Sequence, residues 1–327
     1  MHKSQKGVSE AVARNERQHL RIKTLFRKLL VLLRGLELLA RGLNPWRLLQ
    51  LLQDVRNFAN VKKPVNETNI NATPLHAMNP LDRFSDRAED YAKYRPSYPE
   101  EAIALILEGL GHPSQLVAAD IGAGTGISSR LLAQRGVRVI AIEPNAAMRA
   151  SAEPHPLVEF RDGSAEATNL GDRSVDVVTC FQAFHWFDPE PTLSEFHRIL
   201  KPSGRLALVW NDRDTDDEFT QGFTQLVKIA SNNHPAESRL VSVEPLLSSP
   251  LFPDVRRYTF AYRQKLDLEG LIGRVRSVSY IPQAGPALEQ LISGLKELHS
   301  RFCDENGFVY MTYHTSVYLA NLENPSN

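Results

Sequence analysis

The stretch VAADIGAGTGISSRLLAQRGVRVIAIEPN, residues 117–145, constrains the fold more than any other part of the chain. It runs from an apolar segment through Gly122, Gly124 and Gly126 into an amphipathic segment, then a second apolar run that ends on Glu143. Strand, bend, helix and strand in that order make one parallel crossover, because parallel strands need a long connection between them. Glycines this dense are costly in a folded chain, so the bend must need bare backbone. Such a bend lies at the carboxyl ends of the strands, where open α/β sheets bind ligands.

The same rhythm continues downstream. Apolar runs at 115–120, 137–142, 157–160, 175–180 and 205–210 alternate with helical segments, which predicts a doubly wound, mostly parallel α/β sheet. PEEAIALILEGL is predicted as a helix opened by proline and closed by Gly111. After Trp210 the spacing loosens into helical and loop insertions at 213–250, a strand at 255–263 and further helices at 265–305. A last strand is expected from Val309 to Leu319.

The spacing of the bend separates two cofactor classes. The nicotinamide fingerprint G-x-G-x-x-G needs glycine where Ile127 stands, and so fails. The Asp120-Ile-Gly122-Ala123-Gly124-Thr-Gly126 run resembles motif I of the class I S-adenosylmethionine-dependent methyltransferases. The resemblance implies their Rossmann-like fold, a seven-stranded sheet with helical cover insertions, and S-adenosyl-L-methionine as cofactor. By that resemblance Asp120 organises the loop and the ammonium end of the methionine moiety, and Glu143 takes both ribose hydroxyls. An acid about 20 residues beyond the first glycine suits ribose recognition.

Later segments extend the likeness. DGSAE, residues 162–166, stands where the family contacts adenine, making Ser164, Ala165 and Asp162 cofactor candidates. FQAFHWFD, residues 181–188, places Gln182 and Ala183 beside the sulfonium. Lys201-Pro202-Ser203-Gly204 is read as a structural turn ending a helix. FSDRAEDYAKYRPSYP (84–99), QAFHWF and RSVSYIP (276–282) resemble the small-molecule branch near trans-aconitate methyltransferase.

Methyl transfer from a sulfonium is an in-line displacement that needs alignment and exclusion of water rather than a metal. His185 is the candidate general base or orienting residue, with a loop-stiffening histidine as the alternative; Trp186 is a lid or packing residue. Tyr91, Tyr94 and Arg95 occupy the segment expected to close over cofactor, and Arg95 suits a carboxylate of cofactor or substrate. Arg276 and Tyr280 are candidates for the substrate cover. The ten histidines form no ligand cluster and there is no H-E-x-x-H, so no catalytic metal is expected. Amino-methyltransferases acting on nucleic acid carry Asn/Asp-Pro-Pro-Tyr/Phe after the fourth strand. Phe181-Gln182-Ala183-Phe184 stands there instead, which argues against a nucleic-acid substrate.

Charge divides the 327 residues unevenly. Residues 1–63 hold 14 basic and 4 acidic side chains, leaving 24 basic against 34 acidic in the remainder. Three regions are therefore expected: a basic helical extension at 1–63, a polar linker at 64–83, and a methyltransferase domain at 84–327 with its core at 99–212 and its cover insertions and last strands at 213–320. In the extension Leu25, Leu29, Leu32, Leu36, Leu39 and Leu43 line one helix face, Asn44-Pro45 breaks the helix, and Trp46 to Phe58 forms a second. Residues 20–58 suit a peripheral membrane surface, a helix partner or the domain's own apolar face, and an organelle transit peptide is a further reading. Met78 stands just ahead of the family-like segment, so the upstream residues also read as an extension without catalytic role or a start assigned too early. Two cysteines, a polar first twenty residues and no long apolar run point to a reducing, cytoplasmic setting; Asn66 and Asn71 then head chance Asn-x-Thr triplets. A methyltransferase-like scaffold that binds cofactor or partner without turnover is the non-enzymatic alternative.

Overall fold

A computed structural model of the chain describes residues 87–234 and 243–322. The expected basic helices over 20–58, the break at Asn44-Pro45, the linker at 64–83 and the residues around Met78 lie outside the described residues.

Seven strands form one sheet: β1 (Val117–Ile121), β2 (Arg138–Ile142), β3 (Val158–Arg161), β4 (Val175–Phe181), β5 (Leu200–Arg213), β6 (Val255–Leu266) and β7 (Val309–Asn321). Their order is β3-β2-β1-β4-β5-β7-β6. The first five run parallel, and β7 is antiparallel to both β5 and β6. The helices described are α1 (Ala88–Tyr94), α2 (Glu100–Leu107), α3 (Ile127–Gln134), α4 (Ala146–Ala150), α5 (Pro189–Ile199), α6 (Glu218–Ala230), α7 (Glu244–Leu247), α8 (Leu268–Arg276) and α9 (Pro286–Phe302). This is the mostly parallel, doubly wound sheet that the alternation of runs predicts, with the seven strands and Rossmann-like order that the resemblance implies.

Period-two alternation sorts the residues of the central strands between two cores. On β5, Leu206, Leu208 and Trp210 join Phe196 of α5 and Leu246 of α7 on one face of the sheet. Ala207 and Val209 join Ile103 and Ile106 of α2 and Leu132 of α3 on the other. A third cluster lies under the cover, where Phe223 of α6, Leu271 of α8 and Leu291 and Leu295 of α9 pack with Tyr313 of β7. The cover helices start at side-chain caps: Asp217 accepts from Thr220 N at the head of α6, and Asp267 from Gly270 N at the head of α8.

Two local expectations are corrected. The helix expected to reach Gly111 ends at Leu107, because Gly109 and Gly111 turn to φ +76° and +108°. Lys201–Gly204 lies within β5 rather than forming a simple turn. The register jumps from Val175↔Leu200 to Val177↔Arg205, so these four residues bulge, with Ser203 at φ +63°. Lys201 Nζ fastens the bulge to both carboxylate oxygens of Asp176 at 2.8 Å.

Candidate active site

Asp120, next to the last residue of β1, is fully buried, and three hydroxyls satisfy its carboxylate: Ser128 and Ser129 donate at 2.6 Å and Thr179 at 2.8 Å. Burial raises its pKa, and the three hydroxyl donors pull it back. The acid therefore clamps the first turn of α3 and the neighbouring strand β4 onto the glycine bend. The bend is also tied to β2, since Gly122 N and Ala123 N both donate to Ile142 O at 2.9 and 3.1 Å.

Glu143, 8 % exposed, closes the same unit. Its Oε2 accepts from Gly124 N at 2.8 Å and its Oε1 from Asn145 N at 2.9 Å. Burial raises this carboxyl while the two backbone donors oppose the rise. Each oxygen keeps a lone pair for a further donor.

The glycines answer to the protein's own packing as well as to any ligand. A Cβ on Gly122 would lie 2.7 Å from Ala183 Cβ, and one on Gly126 would lie 2.8 Å from Phe160 Cζ. Both residues hold positive φ, +68° and +77°.

Beyond β4 the chain enters a strained loop. Gln182 adopts φ +54°, with its N–H on Val209 O at 2.8 Å and its Nε2 on Asn211 O at 3.1 Å. Asn211 is itself locked, donating to Ser97 O at 2.9 Å and accepting from Thr315 Oγ1 at 2.6 Å. His185 Nδ1 accepts the indole N–H of Trp210 at 3.4 Å. An indole nitrogen can only donate, so Nδ1 is the acceptor and Nε2 carries the proton. Burial pulls the His185 pKa down to about 4, so the ring is neutral at pH 7.

The N-terminal segment is fastened to the cover. Arg87 donates to the carbonyls of Arg276, Val278 and Ile281. The Tyr94 ring packs where a side chain on Gly273 would stand, 2.2 Å from that position, and its hydroxyl donates to Glu269 at 2.8 Å. Arg95 lies over the Tyr91 ring at 4.5 Å and donates from Nη2 to Ser277 O at 2.8 Å. Burial, and then the charge of Arg274 nearby, lower the Arg95 guanidinium to about 10.

These pieces enclose a cavity of about 120 Å³ at the carboxyl ends of β1, β4 and β5. It brings together Tyr91, Arg95, Gly122, Ala123, Gln182, His185, Trp186 and Tyr280 among the residues expected from the sequence. Asp120, Gly124, Gly126, Glu143, Ser164 and Ala165 do not line it. Asp120 and Glu143 hold the bend through their hydrogen bonds to Ser128, Ser129, Thr179 and Gly124. Ser164 closes a turn with Ala167, and Ala165 is buried beside it. Asp162 stands exposed, paired with Arg149 at 3.0 Å.

Two cover assignments are corrected. Tyr94 faces α8 rather than the cavity. Arg276 is exposed, whereas Arg274, two residues earlier and so on another side of the helix, is 5 % exposed and lines the cavity. Sequence reasoning also missed Thr125, Asn211 and Tyr313, which line the same space. Asn211 carried a readable signal, a polar residue at the end of the apolar run LALVW.

Comparison with known proteins agrees with this geometry. The methyltransferase domain family matches residues 119–208. An uncharacterized methyltransferase of Mycobacterium tuberculosis is 32 % identical over 246 residues, 72 % of this chain and 96 % of that protein. An uncharacterized methyltransferase of Schizosaccharomyces pombe is 35 % identical over 147 residues, 44 % of this chain and 59 % of that one. A solved structure from Anaeromyxobacter dehalogenans, assigned by name to the type II methyltransferases, superposes with TM-score 0.57 at 23 % identity. The match covers 71 % of this chain and 99 % of that one, a likeness of fold. With a relative matched along nearly its whole length and a sheet of the order described, the chain belongs to the class I S-adenosylmethionine-dependent methyltransferases.

Proposed function

We propose that the chain transfers a methyl group from S-adenosylmethionine to a small molecule whose accepting atom is already nucleophilic at neutral pH, such as a carboxylate oxygen. The observation that carries this reading is the single unit formed by Glu143, the glycine bend and the cavity wall at Gly122. The residues present fit the group. A buried carboxylate with spare lone pairs stands beside the bend, and a buried hydroxyl, Thr125 Oγ1, lies in the cavity wall without a hydrogen-bond partner.

In this reading Glu143 holds the ribose hydroxyls, and the loop carrying Ser164 and Ala165 borders the adenine. Asp120 keeps the bend in shape, Gln182 and Ala183 border the sulfonium, and Arg95 with Tyr91 takes the methionine carboxylate. Bound there, the cofactor supplies an electrophilic methyl carbon. The protein's own contribution is placement and dryness. His185, neutral with Nδ1 engaged by Trp210, is a weak base, and in this reading it orients the acceptor through Nε2–H. Trp186 and Tyr280 line the cavity and exclude water. The segments FSDRAEDYAKYRPSYP, QAFHWF and RSVSYIP, which resemble the small-molecule branch, support the choice of a small acceptor.

The test is a pair of titrations followed by thermal unfolding, with S-adenosylmethionine in one and a nicotinamide dinucleotide in the other. Stabilisation grows as the logarithm of ligand over Kd. Stabilisation by the sulfonium nucleoside alone is expected; a response to the dinucleotide alone sinks the reading. A screen of carboxylate and hydroxyl acceptors with labelled methyl donor then tests the acceptor chemistry. Label found only on hydroxyl acceptors would refute the carboxylate assignment.

A further inference from the structure

Three side-chain polar atoms are buried without a hydrogen-bond partner among the described residues: Thr125 Oγ1, Arg95 Nε and Arg274 Nε. All three residues line the one cavity. Buried polar groups are ordinarily paired, and a cluster of exceptions in one place points to a polar group that binds there. The chemistry of the lining sharpens this. Among its described residues are three arginines, Arg95, Arg213 and Arg274, and no aspartate or glutamate. The cavity is thus cationic in a chain whose residues beyond position 63 number 34 acidic against 24 basic.

Arg274 is the least compensated of the three. It is 5 % exposed and forms no ion pair among the described residues. Its guanidinium bond to Ser277 Oγ, from Nη1, is long at 3.5 Å. The same serine offers its carbonyl to Arg95, so one short turn holds both guanidinium groups at the cavity. Arg274 lies in the last turn of α8, where the helix dipole offsets part of its charge but supplies no partner for Nε. A buried charge left unpaired is expensive, and a fixed guanidinium fork matches carboxylate or phosphate oxygens.

We propose that Arg274 binds an oxyanion group of the acceptor molecule, carboxylate or phosphate, distinct from the atom that is methylated. The inference rests on the methyltransferase reading for the word acceptor, but the anion site itself does not. It makes the acceptor a molecule with at least one permanent negative charge beyond its reacting atom. That charge would compensate a guanidinium that is buried at the cavity wall with its Nε unpartnered.

The experiment titrates the full chain with inorganic phosphate and, separately, with malonate, at constant ionic strength, following thermal unfolding and calorimetric binding. Three proteins are compared: wild type, Arg274→Met, and Arg276→Gln as a control on the exposed side of α8. Both anions are expected to stabilise wild type and the control, with affinity lost about 30-fold or more in Arg274→Met. The same Arg274→Met variant should be as stable as wild type or more so in anion-free buffer, since the unpaired charge is gone. Phosphate and malonate responses together report the site's oxyanion chemistry; a response to one alone names the acceptor group. Equal anion affinity in wild type and Arg274→Met would overturn the proposal. S-adenosylmethionine affinity is measured alongside. If Arg274→Met weakens it as strongly as Glu143→Ala does, the arginine serves the cofactor carboxylate and the acceptor assignment is wrong. Absent cofactor binding in wild type with anion binding intact would instead sink only the methyltransferase reading.

Discussion

Glu143 Oε2 accepts the backbone N–H of Gly124 at 2.8 Å, so the acid that ends β2 and the bend that succeeds β1 are one mechanical unit. The same carboxylate holds Asn145 N at 2.9 Å, which fixes the start of α4. Glu143→Ala therefore removes two loop bonds along with the ribose contact proposed for it. Hydrogen bonds to charged groups contribute about 1.5–3 kcal/mol each, so S-adenosylmethionine affinity should fall at least about 100-fold by calorimetry. Glu143→Gln keeps one acceptor oxygen and leaves one buried N–H without a partner, so it should lose about 1–3 kcal/mol in urea unfolding. An Ala variant with unchanged cofactor affinity excludes the ribose role.

Gly126→Ala tests whether the bend is demanded by packing. A methyl there meets Phe160 Cζ at 2.8 Å and must also hold φ +77°. Gly109→Ala is the matched control, at φ +76° with nothing within 4 Å. The left-handed conformation alone costs about 1–2 kcal/mol. Both variants should lose that much, and Gly126→Ala about 1–3 kcal/mol more from overpacking. Equal losses, measured by chemical denaturation, show that Phe160 yields and that the positive φ, rather than packing, demands the glycine.

Asn211→Ala tests the brace behind Gln182. The variant leaves Ser97 O and Thr315 Oγ1 without their partner inside a buried network, at a cost of about 1–3 kcal/mol. The bond from Gln182 Nε2 goes to the main-chain carbonyl of residue 211 and survives the substitution. Relaxation should nonetheless reach Gln182, whose φ of +54° persists only while its surroundings hold it. The expected result is a lower kcat with little change in cofactor Kd. A variant as stable as wild type, with unaltered kcat, contradicts the bracing role.

Legibility in the sequence depended on how local each cause was. The bend and Glu143 are separated by one crossover, so their spacing in sequence reports their spacing in space. Strands β1, β2 and β4 were legible because their apolar runs are buried on both faces, as central parallel strands must be. Arg274 was not legible. Which arginine of α8 turns inward depends on Gly273 packing under Tyr94, a contact with a distant segment that no periodicity announces. The bulge at Lys201–Gly204 was missed for a similar reason. Proline and glycine signal a change of direction, whereas pairing with Val175 and Val177 decides that the strand resumes beyond them. His185 was legible as a general base or an orienting residue, but the partner that occupies Nδ1 comes from β5, which no local spacing reports.

The neutral state of His185 makes a pH prediction with a definite sign. Its folded pKa lies at about 4, below the roughly 6.5 of an unfolded histidine. Between those values the unfolded chain takes up a proton that the folded chain does not. The stability contributed by the neutral ring is thus complete above about pH 7 and is lost as pH falls through 6.5 toward 4. Because His185 is half-buried, the loss is expected at about 1–3 kcal/mol. His185→Gln should remove that part of the pH dependence in urea unfolding at pH 7 and pH 4.5. Trp210→Phe takes away the indole donor that favours the neutral ring, so the His185 pKa followed by NMR should move upward, and core stability should fall by about 1–3 kcal/mol. In the wild type kcat/KM should show no inflection from this residue between pH 6 and pH 8. A measured His185 pKa of about 6.5, with an inflection in kcat/KM at the same pH that vanishes in His185→Gln, would restore the general base.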